Sequence, residues 1–383
     1  MRSAIRIVVA SAALVIPLAV SADDFPLAEK YLRGEVTLST PFEYKGDPIK
    51  LRYSSLLGSE GATPNLYRRL WERLNKDTNG LITIEPYWSN SLSDAQTGAF
   101  ESISAGLAEM GTCYTQLNPG GFDLHFGIQL PSLFTSSSTG TMVFNEIYAK
   151  YLRETYERRG VYLARIGLTP PQQLYSKSPI KTFEDMAGLR AWSVGTVANK
   201  AVAALGLVPV SLRISEMYAG FQTGVLDVVP MHDAGSVLFR INEIATHRTV
   251  VNLWTNPNEH CVNPATWDRL PKEVKDYLYH WFQVWTQVES QLYYDAEAER
   301  ARKQLLDEGK TFIELPEQDQ RRVQEAYAGV IAEWIKEREA AGQPGQAMFD
   351  DMVRLRDKYD QLSRDERMRM VLEAPVPGMM PGY

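Results

Sequence analysis

Arg190 and Trp192 stand two residues apart, just ahead of Gly195. On a strand that spacing puts both side chains on one side. A guanidinium beside an indole, next to a glycine turn and a helix N-terminus, is suited to holding an organic anion. Catalytic chemistry finds less support. The chain has no Gly-x-Ser-x-Gly elbow, no Cys-x-x-Cys, no His-Glu-x-x-His and no phosphate-binding glycine loop. Its five histidines are scattered, and only His232 with Asp233 follows a strand end. That pair leaves an exported hydrolase or lyase as the enzyme alternative, against the simpler expectation of a hydrogen-bonded structural histidine. The acidic pairs Glu184-Asp185 and Asp350-Asp351 fall at helix starts, where carboxylates complement the helix dipole.

The elements that must position Arg190 and Trp192 run from Gly188 to Asp233. A short strand holds the two residues, a helix follows to about Leu205, a strand reaches Val210, a helix begins at Ser215, and a third strand covers Val225 to Val229. Such alternation predicts a parallel sheet with helices on its faces, and in such sheets ligands sit beyond the carboxyl ends of the strands. Tyr114, at the end of a strand from Glu109, is placed to face the same cleft. Two further strands are expected at Ile49 to Tyr53 and Leu81 to Glu85. The strand Val161 to Leu168 is stopped by Pro170-Pro171, a natural crossing between domains.

From Pro271 a long helix carries Val274, Leu278, Trp281, Trp285, Val288 and Leu292 at spacings of three and four, long enough to cross the back of both domains. The last helix has Met348, Met352, Leu355, Tyr359 and Leu362 in two heptads. That stripe docks either on its own domain or on a second subunit. Residues 23–47 read as a surface extension, and the tail from Pro375 to Tyr383, rich in Pro, Gly and Met, reads as disordered.

Arg2 and Arg6 precede an apolar run to Val20, and Val20-Ser21-Ala22 ahead of Asp23-Asp24 matches a signal-peptide cleavage site. Residues 1–22 are therefore expected to be removed, leaving an exported, periplasmic protein. Loss of two arginines takes the net charge from −7 to −9, which argues against nucleic acid as a partner. The mature length favours two domains. Cys113 and Cys261 are the only cysteines; an oxidising compartment allows one disulfide, and two buried thiols are the alternative.

From about Ile49 to Pro271 the chain resembles the periplasmic substrate-binding proteins of tripartite ATP-independent (TRAP) transporters. The resemblance is carried by Asp77 to Gly80, Gly106 to Met110, Leu130 to Phe134, Lys181 to Arg190, Ala204 to Gly206, Ser215 to Tyr218 with Gln222 to Asp227, and Trp267 to Pro271. It implies two α/β domains with central mixed, mostly parallel sheets, joined by a hinge and closing on an organic acid that is handed to TRAP membrane subunits. Domain I is expected at 48–168 plus 257–295, domain II at 169–256 plus 296–345, and a C-terminal helix and tail at 346–383. The receptor of an ATP-driven importer, or a sensor, is the alternative with the same two-domain logic. No catalysis, nucleotide or other cofactor is implied, and the oligomeric expectation is a monomer or a homodimer through the C-terminal helix.

Within that resemblance Arg190 matches the arginine that clamps a substrate carboxylate, the alternative being an internal ion pair. A second arginine found in relatives that grip diacids or acidic sugars is replaced by Gln172. The residues after Asp227, usually polar, are Val228, Val229, Pro230 and Met231. The Trp-Glu pair through which some relatives hold calcium is missing, so no metal is expected. These departures predict a monocarboxylate with an apolar or aromatic body, held by Arg190, Trp192, Gln172, Tyr114, Met231, His232 and Ser54.

Overall fold

Short apolar strands alternating with amphipathic helices resolve into two mixed sheets. The computed structural model describes residues 26–383 apart from Gln96 and Pro119, so the signal-peptide reading of residues 1–22 lies outside the described residues. The first sheet contains β1 (Ile49–Ser54), β2 (Ile82–Tyr87), β3 (Met110–Thr112), β4 (Tyr162–Leu168) and β10 (Pro257–Val262), in the order β2-β1-β3-β10-β4. The second contains β5 (Gln173–Ser176), β6 (Arg190–Trp192), β7 (Val208–Val210), β8 (Val228–Met231), β9 (His247–Val250) and β11 (Thr311–Glu314), ordered β11-β9-β5-β8-β6-β7. Within the second sheet β6 lies parallel to both β7 and β8, the arrangement that the Gly188 to Asp233 alternation predicts. β10 runs antiparallel between β3 and β4, and β5 antiparallel between β8 and β9.

Two extended segments cross side by side between the sheets, one between β4 and β5 and the other between β9 and β10. They are bonded to each other: Gln172 N–H donates to the Trp254 carbonyl, Leu253 N–H to the Gln172 carbonyl, and Thr169 N–H to the Asn256 carbonyl, each at 2.9 Å. Pro170 and Pro171 fix the first segment's φ and remove two donors that this ladder does not use. The third connection is helical. Lys272–Glu289 packs on β4, a π-helical stretch Ser290–Asp295 follows without a break, and Ala296–Asp307 reaches the helix Asp233–Leu238 of the second unit. The long helix therefore does join both halves, with its wide turn set where one domain gives way to the other.

The larger core surrounds the first sheet and takes in Trp267, Trp281 and Trp285 of the long-helix region. Met348, Met352, Leu355 and Tyr359 are buried in that same core, and their helix, Gly345–Asp360, packs against Ser137–Ile147. The apolar stripe is thus spent within its own chain and is not left for a second subunit.

Two expectations for the termini need correction. The tail is ordered: Met379 and Met380 are buried, Tyr383 stacks on Tyr279 at 4.5 Å and its hydroxyl donates to Asp276. Proline and glycine content concealed three large side chains that find a groove. The N-terminal extension likewise includes a helix, Pro26–Arg33, whose Ala28 and Tyr31 are fully buried, and Ser39 N–H pairs with the Leu372 carbonyl.

Cys113 and Cys261 form a disulfide with Cα atoms 5.8 Å apart. It ties the end of β3 to the neighbouring β10, where Cys261 faces Gly111.

Candidate functional site

Beyond the carboxyl ends of β1, β3, β6 and β8, between the two sheets, lies a cleft enclosing about 970 Å³ of empty space, its open mouth included. The first sheet contributes Leu56 and Leu57 after β1 and Tyr114, Gln116 and Leu117 after β3. Trp192 and Val194 come from the end of β6, Met231 and His232 from the end of β8. Thr169, Trp254 and Asn256 of the crossing segments form the back, and Tyr293 and Tyr294 arrive from the π-helical turn. Parallel strands deliver their last residues to one edge, so residues distant in sequence meet here.

Most of the polar atoms around the cleft are already engaged. Trp192 Nε1–H donates to the Leu212 carbonyl at 3.0 Å, leaving the indole face for the cleft. Tyr67 donates its hydroxyl to Glu289 at 2.5 Å, and Asn258 donates to the Tyr294 hydroxyl. Asn256 Oδ1 accepts from Gln129 and from Trp254 Nε1, which fixes its amide orientation and leaves Nδ2 as a donor. Beneath the floor, Arg165 is fully buried and pairs with the equally buried Glu289. Burial pushes the Glu289 carboxyl up, against the opposing pull of Arg165.

His232 caps the helix Asp233–Leu238, its Nδ1 accepting from Gly235 N–H at 3.1 Å. Burial lowers its pKa to about 4, so the imidazole is neutral at pH 7 with its proton on Nε2. Asp233 turns the other way, to Arg248 at 2.5 Å, the Tyr175 hydroxyl at 2.6 Å and Arg302 at 3.3 Å. The two neighbours form no acid–base pair, which removes the geometry the hydrolase or lyase alternative requires.

Of the seven residues predicted to bind ligand, the structure brings Tyr114, Trp192, Met231 and His232 together in the cleft and leaves three elsewhere. Arg190 does not reach it. It opens β6 at the amino end, whereas Trp192 closes the strand at the carboxyl end. Arg190 is bonded through Nε and Nη2 to Asp227 at 2.8 and 2.9 Å, with Nη2 also 2.6 Å from the Gly224 carbonyl. Its side chain is 46 % exposed. Gln172 is buried in the crossing segment, where Nε2 donates to Thr169 Oγ1 and the Pro170 carbonyl. Ser54 Oγ bonds Ser93 Oγ at 2.9 Å. Sequence reasoning missed Tyr67, Trp254, Asn256, Tyr293 and Tyr294. Tyr293 and Tyr294 sit at the end of a helix whose aromatics otherwise serve the core, and only a widened turn aims them at the cleft.

A model of the bacterial extracellular solute-binding proteins, family 7, matches residues 64–337. The chain belongs to that family. This solute-binding protein is 24 % identical over 237 residues to the C4-dicarboxylate-binding periplasmic protein DctP of Rhodobacter capsulatus, spanning 60 % of the present chain and 69 % of that one. Its fold matches a TRAP periplasmic solute-binding protein of Bordetella bronchiseptica with bound (R)- and (S)-mandelate, at a TM-score of 0.74 and 23 % identity over 81 % of this chain and 99 % of that one. It also matches a TRAP solute-binding protein of Rhodoferax ferrireducens with copurified benzoate, at 0.75 and 16 % identity, covering 82 % and 99 %. The TRAP resemblance and the two-domain α/β fold are both borne out. The segments outside the matched residues include the buried terminal straps of this solute-binding protein, residues 26–48 and 345–383, which pack on its first domain.

Proposed function

We propose that this solute-binding protein captures a small organic molecule with an apolar, ring-sized body in the cleft between its two domains and delivers it to the membrane subunits of a TRAP transporter from the periplasm, after export through residues 1–22. The observation that carries the reading is the cleft wall. Trp192, Trp254, Tyr114, Tyr294 and Met231 line it with apolar surface from both domains, so a ring is enclosed only when the domains meet around it. The bound mandelate and benzoate of the two structural relatives point to the same kind of body. The acid half of the expected ligand rested on Arg190, which is engaged with Asp227 outside the cleft, so the apolar body is the part retained.

The test is a thermal-shift screen of aromatic monoacids, amides and alcohols against the mature protein and the Met231→Trp variant, which fills the cleft. Stabilisation of wild type by at least one aromatic solute, lost in the variant, is expected. Stabilisation only by small aliphatic diacids would overturn the reading.

A further inference from the structure

We infer that the solute is uncharged at the end that enters the cleft, carrying a neutral hydrogen-bonding group such as an amide, alcohol or phenol in place of a carboxylate. The inference rests on the binding role proposed above and adds the ligand's charge. Among the described residues that line the cleft there is no lysine, arginine, aspartate or glutamate. His232, the one lining side chain able to become a cation near neutral pH, is held neutral by burial, and its Nδ1 lone pair is committed to Gly235 N–H.

The nearby cations are spent or remote. Arg165 lies under the floor against Glu289, with Tyr67 and His260 around its other nitrogen and its guanidinium 4.7 Å from the Trp285 ring. Arg190 faces away with Asp227. Arg213 sits exposed at the rim, on an adjoining surface groove. A carboxylate entering here would lose its hydration without meeting a counter-charge, and a buried charge is tolerated only when paired.

The polar atoms that remain suit a neutral group better than an anion. Gln116, on the cleft wall, has a buried Oε1 with no hydrogen-bond partner; its amide offers both an acceptor and a donor, and a carboxylate can answer only the donor. Asn256 Nδ2 supplies a donor, since its Oδ1 is taken by Gln129 and Trp254. The Tyr114 hydroxyl, on the same wall, can act either way. One acceptor, the donors Asn256 Nδ2 and His232 Nε2–H, and one hydroxyl complement a primary amide or a hydroxyl group.

Isothermal titration of the mature protein with benzamide and benzoate, phenylacetamide and phenylacetate, and mandelamide and mandelate tests this. The uncharged member is expected to bind at least tenfold more tightly in each pair that binds, with an affinity flat between pH 5 and pH 8. Met231→Lys, which places an ammonium in the cleft, is expected to reverse that preference. Tighter binding of the acid to wild type overturns the inference while leaving the binding role intact, and its loss in Arg213→Ala would assign the clamp to the rim. Retention of the neutral preference by a folded Met231→Lys protein overturns the electrostatic basis. Absence of heat with all six compounds overturns the aromatic-solute reading and the inference with it.

Discussion

Arg190 and Asp227 form a two-pronged ion pair at the amino end of β6, with Nε and Nη2 of the arginine 2.8 and 2.9 Å from the two carboxylate oxygens. The register makes the pairing unavoidable: Ala191 lies opposite Val228, so the residues just before them are neighbours. The hydrogen bonds from Arg190 hold the Asp227 carboxyl below its ordinary range. Exposed pairs of this kind contribute little to stability. Arg190→Ala is therefore expected to leave the affinity for solute within about twofold and the melting temperature nearly unchanged, as titration and thermal denaturation would show.

Cys113 and Cys261 close a loop of 148 residues between adjacent strands of the first sheet. Cross-linking a loop of that size restricts the unfolded chain, and removing such a bond from a secreted domain costs about 2–5 kcal/mol. The Cys113→Ser/Cys261→Ser double variant should lose stability of that order in urea titration. A reducing agent should destabilise the wild type and leave the variant unaffected.

His232 gives stability a pH dependence of definite sign. Its folded pKa, lowered to about 4 by burial, lies below the unfolded value of about 6.5, so between these the unfolded chain binds more protons. The contribution is fully present above pH 6.5 and is lost as pH falls toward 4. Asn also caps helices well, so His232→Asn should keep the cap and remove the titration. The difference in unfolding free energy between wild type and variant should shift in the variant's favour from pH 7 to pH 5. Comparing the two proteins cancels the opposite slope of Asp295, whose carboxyl burial raises to about 6.

Arg165 and Glu289 are paired in complete burial. Removing one partner of such a pair leaves an uncompensated charge, at a cost of about 3–5 kcal/mol, whereas replacing both with apolar residues is often neutral. Glu289→Gln should be destabilised by that amount, and Arg165→Met/Glu289→Leu by much less. Glu289 also accepts the Tyr67 hydroxyl. The single variant should therefore weaken solute binding as well, which chemical denaturation and titration would separate.

Much of this architecture was legible because it depends on short-range patterns. The alternation from Gly188 to Asp233, the stop at Pro170-Pro171 and the long helix from Pro271 each carry their own punctuation. Placing Trp192, Tyr114, Met231 and His232 at the cleft needed only the rule that the carboxyl ends of the strands open onto it. Arg190 was misplaced because two residues on one side of a strand can still lie at opposite ends of it. About 3.3 Å of rise per residue separates a cleft position from a surface one. Asp227 carried the missing information, since a carboxylate one residue before a neighbouring parallel strand can reach the start of β6. Tyr67, Asn256 and the crossing segments could not be found in the same way. Their approach to the cleft depends on packing between domains, and that of Tyr293 and Tyr294 on a π-helical turn that no local motif marks. The ordered tail was hidden for a similar reason, since Met379, Met380 and Tyr383 are held by a groove on the long helix rather than by their own sequence.

The most direct test of the account is native mass spectrometry of protein freshly purified from the periplasm, comparing wild type with Trp192→Ala and Arg190→Ala. A retained organic adduct should appear on wild type and Arg190→Ala and be lost from Trp192→Ala. An adduct that survives in Trp192→Ala and disappears from Arg190→Ala would contradict the assignment of this cleft as the binding site.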